Sequence, residues 1–398
     1  MDMCCRDNCN SSTPKSKDEI NVDYSKHGIE GVNPGDKVIP SAYCWPAELV
    51  SPRVAYEAYE EEVPVIDMAG LNDQVAGGVV ASDIEVVKTR IAAEMAMAAE
   101  TWGVFNIVNH GVPVELLQRL KTEADMFFNL PMATKKELFI DKDATTGVVL
   151  RGYGFKVERN SAAKCSWSEG LFVTNDASFL QDCASKIHSQ DCERKAFVAT
   201  VLEYETALRK CTMQVLHLLA QGLGVDPEHF DRYSDEGSEI IQRWNYYPPC
   251  PEPDKTLGLL QHTDASLVTA LELGDVGGFQ VQRGGKWVAV RPQKNGFAIL
   301  IGDMLEVMTR GKFYSVPHRA VVNKSKPRLS IGTFLAPNRT MDIISPPDLP
   351  TPAEQPDTRP EYRPFTFAEY VIHKFSKQPG RAFVRYSMQQ KGASTLVA

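Results

Sequence analysis

The spacing of apolar residues changes from helical to alternating near residue 240. Before that point apolar side chains recur every three or four positions, most regularly in residues 193–222. After it, short runs such as residues 297–301 and 328–335 have the composition and alternation of β-strands. Helices first and strands later predict an α+β protein, whose many short antiparallel strands form a sandwich or barrel.

The same changes of pattern divide the chain into four parts. Residues 1–38 are polar and lack periodicity, so we expect a disordered N-terminal extension. Residues 39–235 predict a largely helical region with edge strands, and residues 236–340 carry the β-rich core. Residues 341–398 predict an extended proline-rich segment followed by a C-terminal helix.

The composition excludes several classes of protein. A net charge of −8 gives no basic surface for nucleic acid or an anionic membrane, and no apolar run of 18 residues could span a bilayer. The polar N-terminus has no apolar signal core, and the nine cysteines are scattered and odd in number. We therefore expect a cytoplasmic, monomeric protein with reduced thiols and a small-molecule substrate.

Three side chains have the chemistry of a metal site. In an extended strand His262 and Asp264 point to the same side, with Thr263 turned away. His318 lies far enough along the chain for several strands to return it to the same place. Two imidazoles and one carboxylate form the facial triad of non-haem Fe(II) oxygenases, which leaves coordination positions open.

The strand after His318 is polar on one face. Arg328, Ser330 and Phe334 alternate with apolar residues, so they share one side of the strand. An arginine beside a serine offers a two-pronged donor and a hydroxyl to a carboxylate. This pattern predicts the wall of a cavity, although a structural ion pair of Arg328 would produce the same alternation.

Several motifs together resemble the plant 2-oxoglutarate and Fe(II)-dependent dioxygenases, over about residues 39 to 380. They are WGVFNIVNHGVP (102–113), NYYPPCPEPD (245–254), HTD (262–264), VGGFQV (276–281), IGDMLEVMTRGKFYSVPHRAVVN (301–323) and RLS (328–330). The resemblance implies a double-stranded β-helix, or jelly roll, with flanking helices. It also implies that the two histidines and the aspartate hold the iron.

The resemblance assigns the co-substrate as well. It implies that Arg328 and Ser330 bind the distal carboxylate of 2-oxoglutarate, with Asn245 and Tyr247 as further contacts. Fe(II) and O2 are implied partners, with ascorbate as a reductant. The implied reaction converts 2-oxoglutarate to succinate and CO2 while the substrate is hydroxylated or desaturated.

Fewer residues indicate the class of substrate. Trp167 and Glu169 resemble part of a gibberellin 3-oxidase segment, and Arg243 occurs where flavonoid dioxygenases usually carry lysine. Phe334 resembles a flavonoid-enzyme contact, but Ala336 replaces the glutamate of those enzymes. We therefore expect a gibberellin or ent-kaurenoid acid, with Phe334, Arg243, Trp167 and Glu169 as its contacts.

Three alternatives stay open at this point. One is a flavonoid or other phenylpropanoid dioxygenase with the same chemistry. Another is an oxidase that uses iron and O2 without 2-oxoglutarate, as ethylene-forming enzymes do. The third is a non-catalytic hormone-binding protein on the same scaffold, against which the intact metal triad argues.

Overall fold

The computed structural model describes most of the chain between residues 23 and 376. The described residues are 23–29, 31–33, 35–50, 59–71, 81–138, 140–142, 149–154, 157–158, 164–234, 238–343, 362 and 364–376. The expected extension up to residue 22, and most of the proline-rich segment, lie outside these residues.

Helices dominate the first part of the described chain. The α-helices are α1 (Ala47–Val50), α2 (Ala81–Thr101), α3 (Val114–Phe128), α4 (Met132–Lys136), α5 (Ala177–Ile187), α6 (Asp191–Leu223), α7 (Asp303–Met308) and α8 (Phe367–Ser376). Short 3-10 helices lie at Tyr24–His27, Ser41–Tyr43, Pro227–Tyr233 and Pro253–Lys255. The helix expected from residues 193–222 is therefore present as α6.

Strands dominate the second part. They are β1 (Val65–Asp67), β2 (Val104–Val108), β3 (Asp141–Lys142), β4 (Val149–Gly154), β5 (Val157–Glu158), β6 (Lys164–Cys165), β7 (Glu169–Val173), β8 (Glu239–Tyr247), β9 (Leu259–His262), β10 (Val268–Glu272), β11 (Phe279–Arg283), β12 (Lys286–Ala289), β13 (Phe297–Ile301), β14 (His318–Ala320), β15 (Arg328–Ala336), β16 (Asp342–Ile343) and β17 (Phe365–Thr366).

Local sequence signals explain where several elements begin and end. The Asp176 side chain accepts a hydrogen bond from the Phe179 amide and so caps α5. Gly224, at a φ of 84°, ends α6 in the left-handed conformation that glycine adopts without strain. Gly284 and Gly285 also have positive φ, which suits the tight turn between the paired strands β11 and β12.

Two sheets form the core. The larger has the order β1-β2-β13-β10-β15-β8-β7-β4-β3, and the smaller has the order β12-β11-β14-β9. One apolar cluster lies between the larger sheet and the helices, with Trp244, Ile331 and Leu335 in it, and another, with Val281 and Leu300, lies between the sheets. The predicted α+β fold with a jelly-roll core is thus confirmed.

The boundary expected at residue 236 does not divide the sheet. β2 pairs with β13, and β7 pairs with β8, so strands from the helical region extend the larger sheet on both sides. Because β7 lies next to β8, residues before position 236 contribute to the inner face of the sheet.

The segment before residue 39 is partly ordered, so the expected disorder is wrong for the described residues from 23 to 38. Tyr24, Ile29 and Val32 are buried in an apolar cluster with Trp167 and Tyr247. Their spacing follows no helical or strand period. Contacts with distant parts of the chain bury these side chains, and such contacts leave no periodic pattern in the sequence. We call residues 23–43 the N-terminal strap.

No helix in the described part of the chain is both long and apolar enough to cross a bilayer. The longest described helix, α6, carries charged residues along its length, including Arg194, Glu205 and Arg209.

Candidate active site

The three expected metal ligands come together on the smaller sheet. His262 is the last residue of β9 and His318 the first of β14, and these two residues are directly paired between the strands. Their ring centroids lie 4.2 Å apart. Asp264 follows β9 on the loop to β10, so both histidines and the aspartate meet at one end of the sheet.

The ligand atoms are close enough to share one ion. Asp264 Oδ1 lies 3.8 Å from His262 Nε2 and 3.5 Å from His318 Nε2. One ligand atom from each residue lies within 4.8 Å of the others. The described residues thus form a three-ligand site with the donor set that Fe(II) accepts.

Backbone carbonyls orient both imidazoles. Nδ1 of His262 lies 2.7 Å from the Leu260 carbonyl oxygen, and Nδ1 of His318 lies 3.1 Å from that of Val316. A carbonyl can only accept, so each Nδ1 carries the proton and donates. Each Nε2 is then left with its lone pair toward Asp264, as metal binding requires.

The Asp264 carboxylate is buried but kept ionised. Burial alone would raise its pKa, but the positive charge that His318 and His262 carry when protonated, and a hydrogen bond from Thr269, lower the pKa below the usual range. Thr269 belongs to β10, in the larger sheet, where it lies directly opposite Phe334 of β15. Thr269 therefore connects the metal ligands to the predicted cavity wall.

The co-substrate wall is formed by β8 and β15. Arg328 is paired with Tyr247, and Ser330 with Asn245, so all four expected co-substrate residues share one face of the larger sheet. The Arg328 guanidinium lies over the Tyr247 ring, 4.9 Å from its centroid.

Arg328 shows that this wall fits an acidic ligand. It is 3% exposed, and among the described residues none accepts a hydrogen bond from its Nε, Nη1 or Nη2. A buried guanidinium needs an anionic acceptor, and a carboxylate matches its two-pronged geometry. The donor set and this arginine therefore fit Fe(II) held by His262, Asp264 and His318, with 2-oxoglutarate held by Arg328.

Arg243 and Phe334 lie on the same wall. Arg243 is paired with Gly332, and the Phe334 ring folds back over that glycine, where an added Cβ would lie 3.4 Å from it. The Arg243 guanidinium stacks on Phe172 of β7, with its centre 5.0 Å from the ring centroid. Both expected contacts are partly exposed, as residues lining a cavity must be.

Glu169 lies on the face of the larger sheet that points away from the cavity. This corrects the expectation that it contacts the substrate. Glu169 is paired with Tyr246, whose neighbours in the strand, Asn245 and Tyr247, point to the cavity. Its buried carboxylate accepts hydrogen bonds from Lys135 at 2.7 Å and from the Tyr153 hydroxyl, and it pairs with His27 at 2.8 Å. These contacts give Glu169 a structural role between strap, helix and sheet.

Trp167 is a structural residue too, and the expected substrate contact is again corrected. It is fully buried and makes T-shaped ring contacts with Tyr24 and Tyr43. Its indole N–H donates to the Pro248 carbonyl at 3.0 Å. No surface of Trp167 is left to meet a ligand.

Sequence reasoning missed Thr269 and Phe172. Thr269 lies in an apolar run, where its hydroxyl gives no distinctive pattern, and Phe172 precedes the predicted core. Only the pairing of β10 and β7 with their neighbours places both side chains on the cavity face.

Known proteins share these features over most of the chain. The profile of the 2OG-Fe(II) oxygenase superfamily matches residues 238–337, and a profile described as non-haem dioxygenase in morphine synthesis N-terminal matches residues 63–191. Gibberellin 20 oxidase 1-D of Triticum aestivum is 33% identical over 366 residues, covering 86% of this chain and 95% of that protein. Oxoglutarate-dependent flavonoid 7-O-demethylase 1 of Ocimum basilicum is 34% identical over 282 residues, covering 71% and 72%.

A solved structure shows the same architecture. The crystal structure of JOX2 in complex with 2OG, Fe and JA superimposes with a TM-score of 0.71 at 28% identity, covering 89% of this chain and 95% of JOX2. The metal triad, the buried arginine and these similarities agree. The chain belongs to the 2OG-Fe(II) oxygenase superfamily and is a 2-oxoglutarate-dependent dioxygenase.

Proposed function

We propose that the chain oxidises a small apolar carboxylic acid, and specifically a gibberellin or ent-kaurenoid diterpenoid acid. The observation that carries this proposal is the pairing of a cation with aromatic surface on the cavity wall. Arg243 lies beside Phe334 and Phe172, two residues along the ladder from Ser330. Two strand residues span about 7 Å, so the Arg243 guanidinium is separate from that of Arg328, which is assigned to the co-substrate.

The chemistry of that patch matches such an acid. Apolar rings of the substrate would pack against Phe334, while its carboxylate would accept hydrogen bonds from the planar guanidinium of Arg243. The similarity to a gibberellin 20 oxidase over 86% of the chain supports the same class.

Each of the site residues named above then has a role in the reaction. When bound, iron and 2-oxoglutarate supply the oxidising chemistry, with succinate and CO2 as co-products. Asp264 and the two histidines would hold the ion, with the Thr269 hydroxyl beside the Asp264 carboxylate. Arg328 would orient the co-substrate, whereas Arg243 and Phe334 would decide which carbon of the substrate faces the iron.

A flavonoid is the second candidate substrate. The flavonoid 7-O-demethylase and a leucoanthocyanidin dioxygenase of Malus domestica, 30% identical over 88% of the chain, favour it. A flavonoid has no carboxylate, so it would not require Arg243 as an anchor.

The test is a turnover assay with matched substrates. The purified chain receives Fe(II), 2-oxoglutarate and ascorbate, and products are identified by mass spectrometry alongside succinate. The panel contains gibberellin precursors, ent-kaurenoic acid, JA, flavanones and dihydroflavonols. We expect the diterpenoid acids to gain one oxygen or lose two hydrogens, with succinate formed in step.

The methyl ester of the best acid isolates the role of Arg243. With wild type, kcat/KM should be about 30-fold or more lower for the ester than for the acid. Arg243→Met should lower kcat/KM for the acid by a similar factor, because a charge pair that the bound substrate would bury loses one partner. Turnover of the flavonoids alone, unaffected by Arg243→Met, would establish the second candidate. Product without succinate would indicate an oxidase that does not use 2-oxoglutarate.

A further inference from the structure

The loop that carries Asp264 is held from behind by a second carboxylate. Thr263 points away from the metal ligands, as its place between them predicts, and its hydroxyl donates to Asp303 Oδ2 at 3.0 Å. The backbone N–H of Asp303 donates to the carbonyl oxygen of Asp264 at 2.8 Å. Asp303, the first residue of α7, thus fixes two consecutive residues of the loop.

Close packing makes this contact rigid. Gly302 precedes Asp303, and a Cβ at that position would lie 1.9 Å from the Ser266 carbonyl oxygen. The Gly302 N–H donates to the Leu267 carbonyl at 2.9 Å. The start of α7 is therefore packed directly against the metal loop.

The C-terminal helix α8 supplies the groups that bind Asp303. The Lys374 ammonium and the Tyr370 hydroxyl both donate to Asp303 Oδ2, and Lys374 also donates to Thr263 Oγ1 at 3.1 Å. Tyr370 and Lys374 are one helical turn apart, with 3.0 Å between hydroxyl and ammonium. Ser315 adds a hydrogen bond to Asp303 Oδ1 at 2.7 Å.

Charge makes Lys374 the decisive member of this group. The Asp303 side chain is 2% exposed, and the backbone of Asp303 is joined to the backbone of Asp264 by one hydrogen bond. Within the part of the chain that the structure describes, Lys374 is the cation bonded to Asp303. A buried carboxylate without its cation is strongly disfavoured, so the loop would rearrange to hydrate it.

We propose that Lys374 is a positioning residue of the metal site, which acts through Asp303 and Thr263 on the ligand Asp264. The docking of α8 and the formation of the three-ligand geometry are then coupled. The proposal is independent of the substrate, because it concerns only the affinity and coordination of the metal.

The experiment titrates Co(II) alone into metal-free wild type and the Lys374→Met variant, following the visible absorption of the bound ion. We expect Co(II) to bind the variant about 10- to 100-fold more weakly, the usual effect of losing a group that orients a metal ligand. A changed absorption band would report altered coordination. Measurements are made well below the unfolding temperature of each variant.

Lys135→Met is the matched control. Lys135 also forms a buried ion pair with a carboxylate, Glu169, but on the helix side of the larger sheet. The Lys135→Met variant should lose stability, as Lys374→Met does, but should keep wild-type affinity for Co(II). Equal losses of affinity in both variants would overturn the proposal, as would wild-type affinity in Lys374→Met.

Two further variants keep the test decisive if Lys374→Met does not fold. Adding Asp303→Asn to Lys374→Met removes the carboxylate charge that the lysine substitution leaves unpaired. The double variant should therefore bind Co(II) more tightly than Lys374→Met. If Lys374→Met does not fold, the double variant should fold. Tyr370→Phe removes one donor only and should weaken Co(II) binding by about two- to tenfold. Wild-type affinity in Tyr370→Phe would contradict the coupling between α8 and the loop.

Discussion

Replacing Arg328 by methionine should strongly weaken co-substrate binding without destabilising the metal-free protein. Its three guanidinium nitrogens are buried and none bonds to an acceptor among the described residues. Its stacking on Tyr247 is worth about 1–2 kcal/mol, whereas burying an uncompensated charge costs several kcal/mol. Methionine has a similar length and fills the space without that charge. We therefore expect the unfolding temperature of the variant to equal or exceed that of wild type.

The loss of 2-oxoglutarate affinity should be large. Truncating one partner of a buried, hydrogen-bonded charge pair costs about 2–5 kcal/mol, which corresponds to about 30-fold to several thousand-fold in Kd. Ligand at 100 times its Kd stabilises a folded protein by about 2.7 kcal/mol. For a chain of this size that shift is about 5 °C in the unfolding temperature.

Thermal unfolding with and without 2-oxoglutarate measures both effects. Mn(II) replaces Fe(II), so that no turnover occurs during heating. Wild type should gain about 5 °C on adding the co-substrate at 100 times its Kd, and Arg328→Met should gain less than about 2 °C. A variant several degrees less stable without ligand would show that the guanidinium has a structural partner, and a ligand-induced gain equal to that of wild type would refute its assignment to 2-oxoglutarate.

Four other substitutions test the remaining groups. His262→Ala and Asp264→Ala should each abolish succinate formation, and wild-type turnover in either would contradict the ligand assignment. Phe334→Ala should lower kcat/KM for the substrate by about 10- to 100-fold, as expected for a lost apolar contact, with 2-oxoglutarate affinity unchanged as the check. Burial raises the pKa of Glu205 despite Arg209 and Asn175, so its ionisation costs stability above that pKa. Glu205→Gln should therefore raise the unfolding temperature at pH 7, and this gain should disappear as the pH falls to about 4, the carboxyl pKa of the unfolded chain.

The metal ligands and Arg328 could be predicted because strand periodicity carries the information. In an extended strand the parity of a position decides its face, and this rule alone groups Arg328, Ser330 and Phe334. The pairing of His318 with His262 was not readable from the sequence, but the two residue types were sufficient to suggest a shared ion.

The incorrect expectations for substrate contacts concern residues whose face of the sheet depends on the strand with which they pair. Nothing around Glu169 shows which face of β7 it occupies, and its partners Lys135 and His27 are 34 and 142 positions away. Trp167 and the N-terminal strap are buried against each other by tertiary packing, which leaves no periodic signal. Motif similarity placed these residues near the site but could not orient them.

The continuous ladder between β8 and β15 also bears on how such enzymes diversify. Its nine paired positions run from Arg328 opposite Tyr247 to Ala336 opposite Glu239, so the proposed co-substrate residues occupy one end and the proposed substrate contacts follow from Gly332 onward. Substitutions at Arg243 or Phe334 can alter the second group while the register of the first is untouched. A lineage could thus exchange one organic acid for a flavonoid through a few replacements at one end of a ladder, with its oxidative machinery inherited intact at the other.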